Sequence, residues 1–217
     1  MSISELIDLY GRHGFDVLAV TDHVARAADP APSVSADRWY AYVHELERAA
    51  QRARRRYGLL VIPGAELTDN DADQDRAAHA LALGLRRLVC LEEGIVGAIQ
   101  AARADGAVIA AAHPYGPHDA TPLRPTRRFA LEHELFRPLV HRWELFNRRE
   151  VFGWVAEAGL PVIASGDVHR AQELSSWKTL LPCDHDEESV LAYLCSEERA
   201  YLAPFSADSS ARVPVAA

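Results

Sequence analysis

Five short apolar runs in this chain carry, at or near their ends, side chains that bind metals or move protons. That recurrence narrows the folds open to it. Val17-Leu18-Ala19-Val20 runs into Thr21-Asp22-His23, and Leu59-Leu60-Val61-Ile62 into Pro63-Gly64-Ala65-Glu66. Val108 to Ala112 stops at His113-Pro114, and Pro161-Val162-Ile163-Ala164 stops at Ser165-Gly166-Asp167-Val168-His169. The fifth run, Ala78 to Leu83, holds His79 within it. Short apolar runs bounded by turn residues read as buried strands. In α/β barrels the loops after the strands gather at one face, which is where sites are built. One such ending would mean little, because a lone histidine is more often a satisfied structural residue than a ligand. Several together, mixing imidazole with carboxylate, suit divalent ions with nitrogen and oxygen ligands.

The segments between these runs have helical spacing. Ser2 and Glu5 form a capping-box pair ahead of Ile3, Leu6, Ile7 and Tyr10, and Gly11 and Gly14 end that helix. Trp39, Val43, Leu46, Ala50, Ala53 and Tyr57 predict a second helix, with Arg52, Arg54, Arg55 and Arg56 on its solvated faces and Gly58 at its close. Leu91, Ile95, Ile99 and Ala102 predict a third, with Glu92 and Glu93 in its first turn. Arg142 to Phe146 reads as a strand ending at Asn147, and Thr179–Leu181 and Ala200–Leu202 as short strands. A helix through Val190, Leu191 and Leu194 lies between the last two, capped by Asp184 and Glu187. Strands alternating with helices predict a parallel α/β architecture in one domain over residues 1–205, with a frayed tail over 206–217.

Charge and motif content exclude several classes. The net charge of −8 argues against a wide basic surface for nucleic acid. No apolar run approaches a membrane span. Cys90, Cys183 and Cys195 form no paired framework and read as buried thiols, which suits a cytoplasmic protein. There is no phosphate-binding G-x-x-x-x-G-K loop and no G-x-S-x-G elbow, and His133-Glu134 lacks the second histidine of H-E-x-x-H. The run Asp69, Asp71, Asp73, Asp75 starts like a calcium loop, but Gln74 and Ala80 stand where glycine and glutamate are needed, so it reads as a solvated loop.

Thr21-Asp22-His23, Pro63-Gly64-x-Glu66, Ala112-His113-Pro114 and Gly166-Asp167-x-His169 resemble, in order and rough spacing, the motifs of the polymerase and histidinol phosphatase (PHP) family. The resemblance runs nearly the whole chain, to about Phe205; each motif alone is weak, and the four in order carry it. It implies a distorted (β/α)7 TIM-like barrel and two or three divalent ions, whether zinc, manganese, magnesium or iron. It also implies hydrolysis of a small phosphate ester, nucleotide-type esters included, by metal-activated water. By motif, Glu66 would bridge two ions, and His79 and His113 would complete the ligands of one. Asp167 would hold its neighbour, and His23 and His169 would belong to a third, with Asp22 orienting His23 or sitting close to the metals. Asp167 or His169 would steer protons, and Arg148, Arg149 and Arg170 would reach the phosphate. Two other classes stay open: hydrolysis of a carbon–nitrogen bond, as in amidohydrolases, and a non-catalytic module that keeps the fold.

The family opens with H-x-H at the end of a first strand. Here only His13 precedes His23, and it reads as a helix C-terminal residue. The expectation is therefore a barrel missing its first strand, with the start placed too far downstream favoured over true loss of the pair. An open sheet edge, weak metal binding and slow hydrolysis by the 217-residue form would follow.

Overall fold

The computed structural model describes residues 1–119 and 126–207. The expected tail lies, from residue 208 onward, outside the described residues. Helix α1 (Ile3–Arg12) begins as its capping box dictates: Ser2 Oγ accepts the Glu5 N–H at 3.3 Å, and Glu5 Oε2 accepts the Ser2 N–H at 2.7 Å. His13 closes it, with Nδ1 2.8 Å from the Leu9 carbonyl. Strands β1 (Val17–Val20) and β2 (His23–Ala25) follow, then α2 (Trp39–Tyr57), which stops where Gly58 turns left-handed at φ 70°. Next come β3 (Leu60–Asp69), β4 (Ala78–Leu83), α3 (Ile95–Ala104) and β5 (Val108–Ala112). The short helices α4 (Arg128–Leu131) and α5 (His133–Phe136) lead to β6 (Arg142–Asn147) and β7 (Glu150–Val151). The chain ends with α6 (Gly153–Glu157), β8 (Val162–Ser165), a 3-10 turn at Ala171–Leu174, β9 (Trp177–Leu180), α7 (Glu187–Cys195) and β10 (Tyr201–Pro204).

The main sheet runs β1-β3-β4-β5-β6-β7, with β2 beside the far half of β3 and β8 beside β6, and it curls into a half-barrel. It is mixed, which corrects the expected parallel arrangement. β1 and β2 pair parallel with β3, and β5, β6 and β8 are mutually parallel neighbours, but β4 runs antiparallel to both β3 and β5. The connection from β3 to β4 holds no helix, and a parallel return would require a longer crossover.

Side-chain alternation then sorts the sheet into two faces. On β3, Val61, Ala65 and Leu67 join the large core under the helices, whereas Ile62 points into the curl. Leu83, Val108, Ala110 and Ile163 share that inner face with Val190 and Leu194 from α7. The curl holds a cavity of about 370 Å³ that reaches from Arg142 and Leu194 at one end to Glu66, His113 and Asp167 at the other. Gly64 is required where β3 and β4 meet, since a Cβ there would lie 2.6 Å from the Ala82 carbonyl oxygen.

Several local expectations change. α3 begins at Ile95, so Glu92 and Glu93 precede it; Glu92 accepts the Ala27 N–H at 2.8 Å instead of serving the helix dipole. Asp69 belongs to no solvated loop: it is buried at the end of β3, pairs with Arg26 and accepts the Ile95 N–H at 3.0 Å, capping α3 from a distance. The cap of α7 is Asp186, whose Oδ1 accepts the Ser189 N–H at 2.9 Å, rather than Asp184 or Glu187. Cys90 and Cys195 are exposed, so neither is the buried thiol expected. Among the described residues no helix is long and apolar enough to cross a membrane.

Candidate metal centre

The reversed β4 explains why a histidine inside a strand shares a site with residues at strand ends. His79 lies near the start of β4, and antiparallel pairing sets it level with Thr68 near the end of β3 and with Ala112 at the end of β5. It has the same parity as Leu83, so its ring enters the curl. Glu66 has the parity of Ile62 and enters with it, and His113 follows β5. One donor atom from each of Glu66, His79 and His113 lies within 4.8 Å of the others.

Glu66 Oε1 is the centre of this group. It lies 2.9 Å from His79 Nδ1, 3.3 Å from His113 Nε2 and 3.8 Å from His23 Nδ1. The carboxylate is almost fully buried. Burial alone would raise its pKa, but hydrogen bonds and charge from His113 and His79 outweigh that and hold it well below the ordinary carboxylate value. Burial also opposes charge on His113, yet the Glu66 hydrogen bond and the charges of Glu66, Glu144 and Asp167 raise that ring to about 9. His79 moves the other way, its pKa lowered chiefly by burial.

The donor set fits a divalent ion on an observation of its own. His79 Nε2 lies 3.0 Å from Asn70 Oδ1, while Nδ1 lies 2.9 Å from Glu66 Oε1. Asn70 is fixed by donating its amide to Asp29 Oδ2 at 2.7 Å, which leaves Oδ1 as the acceptor facing His79. Each ring nitrogen of His79 thus faces an acceptor, and a neutral ring has only one N–H to give; with that N–H on Asn70, Nδ1 and Glu66 Oε1 would meet lone pair to lone pair. A cation between them satisfies both, with the second polar contact orienting the ring.

The remaining expected residues fall into other groups. His23 Nδ1 lies 2.7 Å from Thr68 Oγ1, whose own hydrogen goes to the Glu66 carbonyl at 3.1 Å, so His23 is oriented by Thr68. Asp22, expected to orient His23 or sit close to the metals, is exposed and lines the same cavity as Glu66 and His113. Asp167 and His169 follow β8 and are gathered by Arg148, which follows β6. Burial and the charge of Glu66 raise the Asp167 pKa. Arg149 and Arg170 are exposed, and neither lines the cavity. Three described non-glycine residues have positive φ, namely His113 (30°), Arg148 (52°) and Asp167 (42°), and all three stand just beyond strand ends at this site. Strained backbone of this kind persists where surroundings over-determine it, commonly at functional sites.

Sequence reasoning missed Glu144. This carboxylate is fully buried, accepts the His113 backbone N–H at 2.6 Å and the Asn147 amide at 2.8 Å, and takes the Ser165 hydroxyl as well. It ties the ends of β5, β6 and β8 together and holds the strained His113 backbone. Its only signal was an acidic residue inside the apolar run Arg142–Phe146.

A proton on His113 competes with a metal for the same lone pair, which fixes the sign of a pH effect. The affinity of the site for zinc should rise with pH, by up to ~10-fold per unit, and level off above about 9. Stability of the metal-free protein should move oppositely. The raised pKa stabilises fully below the ordinary 6.5, and that contribution is lost as pH climbs through about 9. Zinc titrations and metal-free melts between those limits measure both; an affinity flat over that range would remove His113 from the ligand set.

No family model matches the chain, and no curated protein matches it. Among solved structures, it is similar to a two-domain protein from Bacteroides vulgatus that contains a predicted PHP-like metal-dependent phosphoesterase. The TM-score is 0.60 at 18% identity, over 92% of this chain and 59% of that one. The likeness is one of fold, and this chain spans less than two thirds of the other protein's length.

Proposed function

We propose that this chain is a single-domain, metal-dependent hydrolase of small phosphate esters, built on a distorted (β/α)7 barrel that is open between β1 and β8. The observation that carries the reading is the buried Glu66 carboxylate facing the rings of His79 and His113 at the mouth of the curl. The fold likeness to a protein with a predicted phosphoesterase domain supports it, as do the four ordered sequence motifs.

Glu66, His79 and His113 would hold the ion. A divalent ion there supplies Lewis-acid polarisation and lowers the pKa of water toward neutrality. Glu66 stays ionised, as a ligand must, because its histidine neighbours hold its pKa down despite burial. Asn70 and Thr68 orient His79 and His23. Arg148, only partly covered and paired with Asp167, would present positive charge to a substrate, and exposed Arg149 and Arg170 would add to it. These donors suit a phosphoryl group. Asp167, with its pKa raised by burial, would take or return a proton at the leaving oxygen, or the exposed His169 would supply one from Nε2. The positive groups sit on an otherwise acidic chain, which favours a small ester over a long polynucleotide.

A substrate panel decides the class. Small phosphate esters and small amides are offered with added manganese or zinc, with and without chelator. Phosphate release that a chelator abolishes is the expected result. Amide cleavage without phosphate release would move the protein to carbon–nitrogen hydrolysis. Metal binding without turnover of either class would favour a non-catalytic module.

A further inference from the structure

We infer that Arg148 occupies, as a fixed cation, the position of a second metal ion, so that this chain holds one ion beside a guanidinium. The inference rests on the metal-dependent reading above and narrows it. Its ground is that the second set of expected ligands does not fit a metal as it stands.

Arg148 Nε donates to the Asp167 carbonyl at 2.7 Å. Its Nη2 lies 2.7 Å from His169 Nδ1 and 3.0 Å from Asp167 Oδ2. Arginine only donates hydrogen bonds and keeps its charge in proteins. His169 Nδ1 also lies 3.2 Å from the Asp167 carbonyl and 3.3 Å from Asp167 Oδ1, but its shortest contact is to a group that only donates, so Nδ1 accepts from Arg148 and the proton of a neutral ring sits on Nε2. Both nitrogens of a neutral His169 are then committed or protonated, and neither offers a lone pair to a metal. Asp167 meets its positive charge in the same guanidinium. Glu173 fixes the loop from the other side, accepting the backbone N–H groups of His169 at 2.7 Å and Arg170 at 2.9 Å.

The arrangement has been built at a conformational cost. Arg148 and Asp167 both sit at positive φ, a region that side chains other than glycine rarely adopt. The two residues end neighbouring parallel strands, β6 and β8, and the strained turns bring guanidinium and carboxylate together. Nη1 lies 4.0 Å from Glu173 Oε1, beyond hydrogen-bond range, and the Arg148 side chain is about a third exposed. The substrate class that fits is a phosphoryl group, which Glu66, His79 and His113 would meet through the ion they hold and Arg148 through its guanidinium.

Metal stoichiometry tests this without any assay of turnover. The protein is saturated with manganese or zinc, desalted, and counted by plasma mass spectrometry. The wild type should carry one ion per chain. Arg148→Met, similar in length but neutral, should gain a second ion, and adding Asp167→Asn should remove it again. Arg148→Lys keeps the charge and should stay at one, with a thermal melt checking that each variant is folded. Two or more ions in the wild type overturn the inference while leaving the metal-dependent reading intact. An Arg148→Met protein that is folded and still holds one ion also overturns it. No ion in the wild type removes both readings together.

Discussion

Glu66→Gln should strip the metal from this protein while leaving its fold in place. Glutamine keeps the shape of the side chain and one acceptor oxygen but removes the charge that His79 and His113 both face. The carboxylate is buried, so that charge acts in a medium of low dielectric and is worth more than it would be in water. Removing one partner of a buried, hydrogen-bonded charge cluster costs about 3–4 kcal/mol, or two to three orders of magnitude in a binding constant. Affinity for zinc or manganese should fall by roughly that factor, and metal-dependent turnover with it. The raised pKa of His113 depends on Glu66 more than on any other charge, so it should drop back toward the ordinary value. Proton NMR of the histidine rings reads that change separately from metal. A variant that binds zinc as tightly as the wild type would move the metal centre away from Glu66.

The residues of this centre were legible in the sequence for a physical reason that also set the limit of legibility. Strand ends concentrate side chains at one face, so Glu66, His113, Asp167 and His169 were readable from the points at which apolar runs stopped. His79 sits within its run, and the direction of β4 that brings it to the face cannot be read from periodicity, since parallel and antiparallel strands alternate alike. The helices were legible through spacing, but the start of α3 was not. Its cap is Asp69, 26 residues earlier in the chain, and long-range caps leave no local pattern. The acidic run read as a solvated loop hid that cap. Glu144 and Arg142 were missed because a charged residue inside an apolar strand has no periodic signature; only the closure of the sheet shows that both point inward. Arg148 was read from the sequence as a contact to the substrate phosphate. Its hold on Asp167 and His169 depends on two left-handed turns that composition does not announce.

Arg142 supplies the second large effect, at the opposite end of the curl. It opens β6 and is 1% exposed, and among the described residues no carboxylate pairs with it. Its Nε donates to the Leu194 carbonyl at 2.9 Å, and Nη2 reaches Tyr193 and Ser196 carbonyls at 2.9 Å and Glu198 at 2.8 Å. Tyr193 and Leu194 belong to the last turn of α7 and Ser196 and Glu198 lie just beyond it; the Tyr193 carbonyl also accepts from Ser196, and the helix dipole makes that end negative. A buried guanidinium with no counter-ion is thus balanced by oriented backbone, and it closes the floor beneath the cavity. Arg142→Met preserves length and packing but leaves those carbonyls facing an apolar side chain. With buried acceptors costing about 1–3 kcal/mol each when unsatisfied, and some able to reach water, the net loss should be about 3–5 kcal/mol. For a chain of this size that lowers the melting temperature by roughly 10 °C. Arg142→Lys, which keeps the charge but cannot spread it over four acceptors, should fall between. Because the floor and the metal centre occupy opposite ends of the curl, Arg142→Met should still bind zinc at low temperature with wild-type affinity. Glu66→Gln should show the converse, a lost metal in a protein that still folds, with its metal-free melt lowered as the Glu66–His113 pairing is lost. A melting temperature within ~2 °C of the wild type for Arg142→Met would mean that water replaces the guanidinium and that the floor is open to solvent.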